Sequence, residues 1–225
     1  MQHIGFIMDG NRRWAKKLKN IASFGHEHGS ETLERVLELC LTRNIPYVSV
    51  WALSKENILE RSEFEIQTIY GLIRQKIPRL VDRFVVDNVR LQVIGDIGLL
   101  PEDIQTILTQ AIEKTQACSK ITFILALGYS GQDEIVRGIK KMIDQGRSIE
   151  SLDEKSFLPF LDSGAFPPPD LIVRTGGNIR HSGYFLYQSA YSEYFFTETL
   201  WPDFDKKDFD EAIAYYEGVQ RNFGK

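Results

Sequence analysis

The 225-residue chain predicts an α/β protein of a single domain, residues 1–225, with a mainly parallel central sheet flanked by helices. Three observations carry that prediction. Short apolar runs alternate with amphipathic stretches of helical period, the pattern of successive βαβ units. One run, Tyr47 to Leu53 (YVSVWAL), is apolar on both faces, as a strand covered by helices on both sides must be. No linker, internal repeat or low-complexity tract divides a length that suits one domain.

Taken in order, Ile4 to Met8 reads as the first strand, stopped by Asp9-Gly10-Asn11, and the helix formers behind that turn open a helix. Leu33, Val36, Leu37 and Cys40 recur at helical spacing between Ser30 and Arg43, and Pro46 closes that helix ahead of the strand Tyr47 to Leu53. Glu63 to Val86 carries a broad apolar face from Ile66 to Phe84 and reads as a long helix with a kink at Pro78. Strand Val89 to Ile94, helix Pro101 to Cys118, strand Ile121 to Leu127 and helix Gln132 to Gln145 follow. A short helix around Asp153 to Leu161 and the turn Pro167-Pro168-Pro169 lead to the strand Leu171 to Arg174. A glycine-rich loop, the aromatic segment YSEYFF, the turn WPDF and a final helix from Lys206 to about Asn222 complete the chain. This alternation implies parallel strands joined by right-handed crossovers.

Composition narrows the function classes. With 43% hydrophobic and 26% charged residues, the chain is neither collagen-like nor largely disordered. Lys plus Arg total 27 against 31 Asp plus Glu, and the net charge of −4 argues against a nucleic-acid partner. Cys40 and Cys118 fit neither a zinc knuckle nor a disulfide framework and read as buried spectators in a reducing compartment. No apolar run approaches the roughly 18 residues of a membrane span, and the start lacks a signal-peptide core. The expected location is cytoplasmic.

Ligands of parallel α/β sheets bind outside the carboxyl ends of the strands. The loops expected there are Asp9-Gly10-Asn11, Ser54-Lys55-Glu56-Asn57, Gly128-Tyr129 and Arg174-Thr175-Gly176-Gly177, and two of them are basic islands in an acidic chain. Between Gly10 and Glu27 the ionised side chains are Arg12, Arg13, Lys16, Lys17 and Lys19, with His26 nearby. From Leu171 to Ser192 there is no Asp or Glu, while Arg174, Arg180 and His181 stand among Thr175, Gly176, Gly177 and Ser182. Backbone N–H groups at a turn beside forked guanidinium donors are what phosphate oxygens require. A solvated cationic face and a plain turn are the competing readings for each island alone; two islands at one rim favour two anion sites. Neither island carries the Walker or dinucleotide fingerprint, which disfavours ATP and NAD. Asp9, at the head of the first island, suits a divalent cation such as Mg2+ between carboxylate and phosphate, and also an N-cap for the helix behind it. The apolar faces of Glu63 to Val86 and Ile121 to Leu127 fit a compact core as well as a hydrocarbon tunnel.

HIGFIMDGNRRWAKK, FGHEHG, Ser54-Lys55-Glu56-Asn57, VIGD, LIVRTGG followed by Arg180 and Ser182, AYSEYFF and LWPDFD run in order from His3 to Phe223. Together they resemble the cis-prenyltransferase family, and within it the bacterial branch that makes undecaprenyl diphosphate. The resemblance implies a tunnel-bearing α/β domain, a homodimer, and Mg2+-assisted condensation of farnesyl diphosphate with successive isopentenyl diphosphates to a long Z-prenyl diphosphate, the lipid carrier of cell-wall synthesis. It implies catalytic roles for Asp9, as a Mg2+ ligand, and Asn57, the position assigned to proton acceptance. Gly10, Asn11, Arg12 and Arg13 would cradle the allylic diphosphate, with Trp14 and His26 beside it. Ser54, Lys55 and Glu56 would form a flexible segment, with Arg61 the candidate for the arginine after Asn57. Arg174, Arg180 and Ser182, with His181, would bind isopentenyl diphosphate, and Glu193 would be the second Mg2+ ligand. Delivery of the product implies transient contact with a membrane surface.

The chain departs from the bacterial pattern at Arg12, where glycine is usual, at Ala22, where an arginine is expected, and at Ile58, Gly128, Asn178 and Asn222. Arg12 offers a charge in place of the one missing at Ala22. Ile121, Phe123 and the long helix are candidates for closing the tunnel. A non-catalytic partner subunit and a shorter-product synthase are the alternative readings, the first disfavoured by retention of Asp9, Asn57, Arg174, Arg180 and Glu193.

Overall fold

A computed structural model describes residues 1–19, 21–148, 150 and 152–220. Six strands, β1 (His3–Ile7), β2 (Tyr47–Ser54), β3 (Val89–Ile94), β4 (Ile121–Tyr129), β5 (Leu171–Arg174) and β6 (Glu193–Phe196), form one parallel sheet in the order β3-β4-β2-β1-β5-β6. The helices are α1 (Asn11–Lys17), α2 (Ala22–Thr42), α3 (Lys55–Glu60), α4 (Glu63–Val86), α5 (Glu102–Thr115), α6 (Gly131–Asp144), α7 (Glu154–Phe157) and α8 (Lys206–Gly218). One face of the sheet packs against the apolar sides of α2, α4, α5 and α8, and the largest cluster of buried side chains lies there. Ile7, Ile94, Ile124 and Ile172 point to the opposite face, covered by Tyr184 and Phe185. Cys40 and Cys118 are both buried.

The predicted α/β architecture is therefore observed, with local corrections. α2 starts eight residues before Ser30, because Gly25 lets it cross α1 so closely that a Cβ there would collide with the Asn11 carbonyl. The segment after β2 is not an open loop: Ser54 Oγ accepts the Asn57 N–H at 3.0 Å and caps α3. Gly128-Tyr129 belongs to β4, and Glu193 to Phe196 adds an edge strand to β5. Helix α4 spans Glu63–Val86 as expected, with Pro78 inside it. The last helix ends at Gly218, with Val219 extended, earlier than the expected end near Asn222; the departure at Asn222 lies outside the described residues.

Candidate active site

The strand order turns back at β1, with β2 on one side and β5 on the other, so loops leaving β1 and β5 border a crevice at the carboxyl rim. Ile7 is level with Arg174, and Arg174 with Phe196. Gly10, at φ 117°, turns the chain off β1; a Cβ there would sit 2.9 Å from Leu200. It is also the residue that opens α1, so Asp9 is not the N-cap. The Asp9 carbonyl is held by Thr175 Oγ1 at 2.7 Å and the Trp201 N–H at 3.0 Å, which fixes its carboxylate over the rim.

That carboxylate joins the two basic islands. Arg174 Nη2 donates to Asp9 Oδ2 at 3.0 Å, Asn178 Nδ2 donates to the same oxygen at 2.7 Å, and Arg13 Nη2 donates to Oδ1 at 3.0 Å. Burial pushes the Asp9 carboxyl upward, but the bonds from Asn178, Arg174 and Arg13 together prevail and hold it below the usual carboxylate range. Arg174 is buried, and its Nη1 donates to Ser182 Oγ at 2.7 Å and to the Arg180 carbonyl at 2.6 Å. Its Nε and the Asn11 Oδ1 are buried atoms without a hydrogen-bond partner. Both residues line the polar cavities described below. Gly176, at φ 82°, lets the Arg13 guanidinium lie against it, and Arg13 Nη1 donates to its carbonyl at 2.6 Å.

Glu65 gathers the other charges. It sits within 2.8 Å of Arg61 Nη1, 3.4 Å of His26 Nε2 and 3.6 Å of Arg12 Nε. Burial and the nearby Arg61 hold His26 below its ordinary range despite Glu65. His26 is thus a neutral ring at neutral pH, and the positive charge of the first island comes from its arginines and lysines.

Three cavities meet at Met8, Asn11 and His26. The first, about 580 Å3, is lined by Asp9, Gly10, Arg12, Arg13, Lys16, Ala22 and Arg61. Arg12 and Ala22 therefore face one space. The second, about 420 Å3, is lined by Asp9, Ser54, Glu56, Asn57, Arg61, Arg174 and Ser182. The third, about 120 Å3, is apolar and runs between α2 and α4.

Some residues expected at the site lie elsewhere. Lys55 Nζ reaches back to Asp133 at 2.5 Å, because its position on the first turn of α3 faces the start of α6. Trp14 donates Nε1–H to Asp203 at 2.6 Å and stacks on Phe24, so it fastens α1 to the Trp201 turn. Arg180 is exposed, its Nη1 donating to Asn178 Oδ1 at 3.1 Å, and the exposed His181 accepts the Gly183 N–H. Glu193 starts β6, level with Leu171 rather than Arg174. That puts it about 10 Å below the rim at the usual strand rise. Sequence reasoning treated Asn178 as a loss and left out Glu198, which lies against Gly177 beside the second island. Its position soon after the end of β6 was the available signal.

The side chains at the rim suit Mg2+. Mg2+ is commonly held by one or two carboxylates together with substrate phosphates and water. Asp9 lines both polar cavities and Glu56 the second, which Arg174, with its unpaired Nε donor, also borders. An ion shared between Asp9 and a bound diphosphate fits that set. Among the described residues no three His, Cys, Asp or Glu side chains gather to hold a metal by themselves.

Comparison with known proteins agrees with this geometry. The prenyltransferase family profile described as undecaprenyl diphosphate synthase matches residues 7–224. The chain belongs to this family. An isoprenyl transferase from Treponema denticola is 39% identical over 100% of this chain and 97% of its own length. The Acinetobacter baylyi ditrans,polycis-undecaprenyl-diphosphate synthase, described as (2E,6E)-farnesyl-diphosphate specific, is 36% identical over 100% of this chain and 91% of its own. Lavandulyl diphosphate synthase from Lavandula x intermedia, solved in complex with dimethylallyl diphosphate, superposes with a TM-score of 0.94 at 30% identity, covering 100% and 98% of the two chains. Family membership makes the chain an enzyme, a prenyltransferase, and the cavities lie where its parallel sheet presents them.

Proposed function

We propose that this enzyme condenses farnesyl diphosphate with successive isopentenyl diphosphates, with Mg2+, to a Z-polyprenyl diphosphate of undecaprenyl length. One observation carries the reading: two polar cavities, each bordered by arginines, and one apolar cavity converge on Met8, Asn11 and His26, with Asp9 in the wall of both polar ones. Two diphosphates and one hydrocarbon tail need those three compartments. The farnesyl primer and product length rest on the name of the Acinetobacter relative.

In this reading Arg12, Arg13, Lys16 and the first N–H groups of α1 hold the allylic diphosphate, while Arg174 and Ser182 hold that of isopentenyl diphosphate. Arg180 joins them only through Asn178 or on closure over substrate. As the allylic C–O bond breaks, negative charge grows on the leaving diphosphate, and prearranged guanidinium and backbone donors stabilise it. Asp9 would hold Mg2+, whose charge would help to neutralise the leaving group. The isopentenyl double bond attacks the allylic carbon, a C–C bond forms, and one proton is lost to diphosphate oxygen. Asn57, an amide at the wall of the second cavity, orients that transfer rather than accepting the proton. Glu193 supplies a metal ligand to this rim only if it comes from a second subunit or after a rearrangement.

The same reading makes the enzyme a cytoplasmic homodimer that passes its product to a membrane surface transiently. Among the described residues no helix is long and apolar enough to cross a membrane. The test is incubation of purified protein with Mg2+, farnesyl diphosphate and labelled isopentenyl diphosphate, then chromatography of the dephosphorylated products. A ladder of Z-polyprenols is expected; no extended product at any pH would overturn the proposal.

A further inference from the structure

The side-chain amide of Asn178 is used at both ends. Its Nδ2 donates to Asp9 Oδ2 at 2.7 Å, and its Oδ1 accepts from Arg180 Nη1 at 3.1 Å. Arg174 makes the same connection from the other side. Its Nη2 donates to that Asp9 oxygen at 3.0 Å, and its Nη1 donates to the Arg180 carbonyl at 2.6 Å. Asp9, Asn178, Arg180 and Arg174 thus close into a ring, in which Arg174 holds the backbone of Arg180 and Asn178 holds its side chain.

The loop that carries Asn178 is itself fixed. The Gly176 and Gly177 N–H groups donate to the carbonyls of Thr199 and Thr197, each at 2.8 Å. The ring runs outward from there: Asp9 and Arg174 line the second cavity, Asn178 is half-buried and Arg180 is exposed. An amide is suited to the middle place because it carries both a donor and an acceptor. A carboxylate there has no proton to give Asp9 and pairs with the guanidinium; an alkyl group offers neither bond. Because the amide is neutral, it orients Arg180 without cancelling its charge. An exposed arginine that is free loses rotamer freedom when it clamps a phosphate. One already oriented loses less, and binds its anion more tightly for that reason.

Resting on the proposed isopentenyl diphosphate site, we infer that Asn178 is a positioning residue for that substrate. It holds Arg180 beside the second cavity with its charge available, so that the guanidinium closes on the diphosphate. Asn178 acts through Arg180 and touches no reacting atom.

The experiment titrates isopentenyl diphosphate, without primer or metal, into wild type, Asn178→Ala, Asn178→Asp, Arg180→Ala and the Asn178→Ala/Arg180→Ala double variant, with the heat of binding as readout. Asn178→Ala should weaken binding about three- to tenfold, the size of one net hydrogen bond. Asn178→Asp, nearly identical in shape, should weaken it at least as much, since its carboxylate pairs with Arg180 and repels Asp9. The double variant should bind as Arg180→Ala does, the coupling expected when one residue acts through the other. In turnover, KM for isopentenyl diphosphate should rise with the lost affinity, while KM for farnesyl diphosphate stays within about twofold. Unchanged affinity in Asn178→Ala, or losses that multiply in the double variant, would overturn the inference and leave the isopentenyl diphosphate site standing. A wild type that does not bind isopentenyl diphosphate would remove the site and the inference together.

Discussion

His3 and Asp9 stand at opposite ends of β1, and their surroundings differ in one respect that matters. At the amino end, His3 is fully buried, with Nδ1 2.7 Å from the Pro167 carbonyl and Nε2 2.8 Å from Ser49 Oγ. Both ring nitrogens are used. At the carboxyl end, Asp9 also has several partners, yet it borders two cavities, and its neighbours Arg174 and Asn11 keep buried polar atoms unpaired. A polar group whose bonds are complete inside the protein is architecture. One that opens on a cavity beside an unpaired guanidinium donor is placed to meet a ligand.

The strongest way to break this comparison is at Asp9. Asp9→Ala should lower kcat by about 10²–10³-fold with a smaller change in KM, the size expected when a group acting on developing charge is lost. Steady-state kinetics with both diphosphate substrates decide it, and an unchanged maximal rate removes Asp9 from the reaction.

His3 should show the opposite profile, little effect on rate and a large one on stability. Burial lowers its pKa from 6.5 to about 4. The unfolded chain therefore binds the proton more readily, and His3's contribution is complete above about pH 6.5 and is lost as pH falls towards 4. That difference corresponds to about 3 kcal/mol. Urea unfolding at pH 7.5, 5.5 and 4.5 measures it, and His3→Gln should flatten that part of the pH profile. A wild-type profile already flat between pH 4.5 and 6.5 contradicts the assignment.

The smallest effect separates site from support within α1. Trp14→Phe keeps an aromatic ring against Phe24 and removes the bond to Asp203, which should cost about 1 kcal/mol of stability. KM for the allylic substrate should stay within about threefold, a shift under about 0.7 kcal/mol. A tenfold rise would return Trp14 to the diphosphate cradle.

Much of the fold was legible because it follows local periodicity. The apolar faces of α4 and α5 and the double-sided run of β2 appear in the chain as repeats of 3.6 and as continuous apolar stretches. The start of α2 was hidden, because Ala22 to Gly29 carries no apolar period; closeness to α1, not amphipathicity, selects its glycines. The strand β6 was hidden too, since an edge strand of four residues has partners on one side and only a faint pattern.

The site divides along the same line. Charge and turn chemistry are properties of short segments, and they marked Asp9 to Arg13 and Arg174 to Gly177 as places for phosphate. Which of those groups meet is a property of strand order and register. Adjacency of β1 and β5 brings Arg174 to Asp9 across 165 positions, and the register of β6 puts Glu193 at the other end of the sheet. Lys55 goes to Asp133 and Asn178 goes to Asp9 for the same reason. A long-range contact costs loop-closure entropy and depends on every element between its ends, so residue types alone announced the chemistry, and only the packed sheet chose the partners.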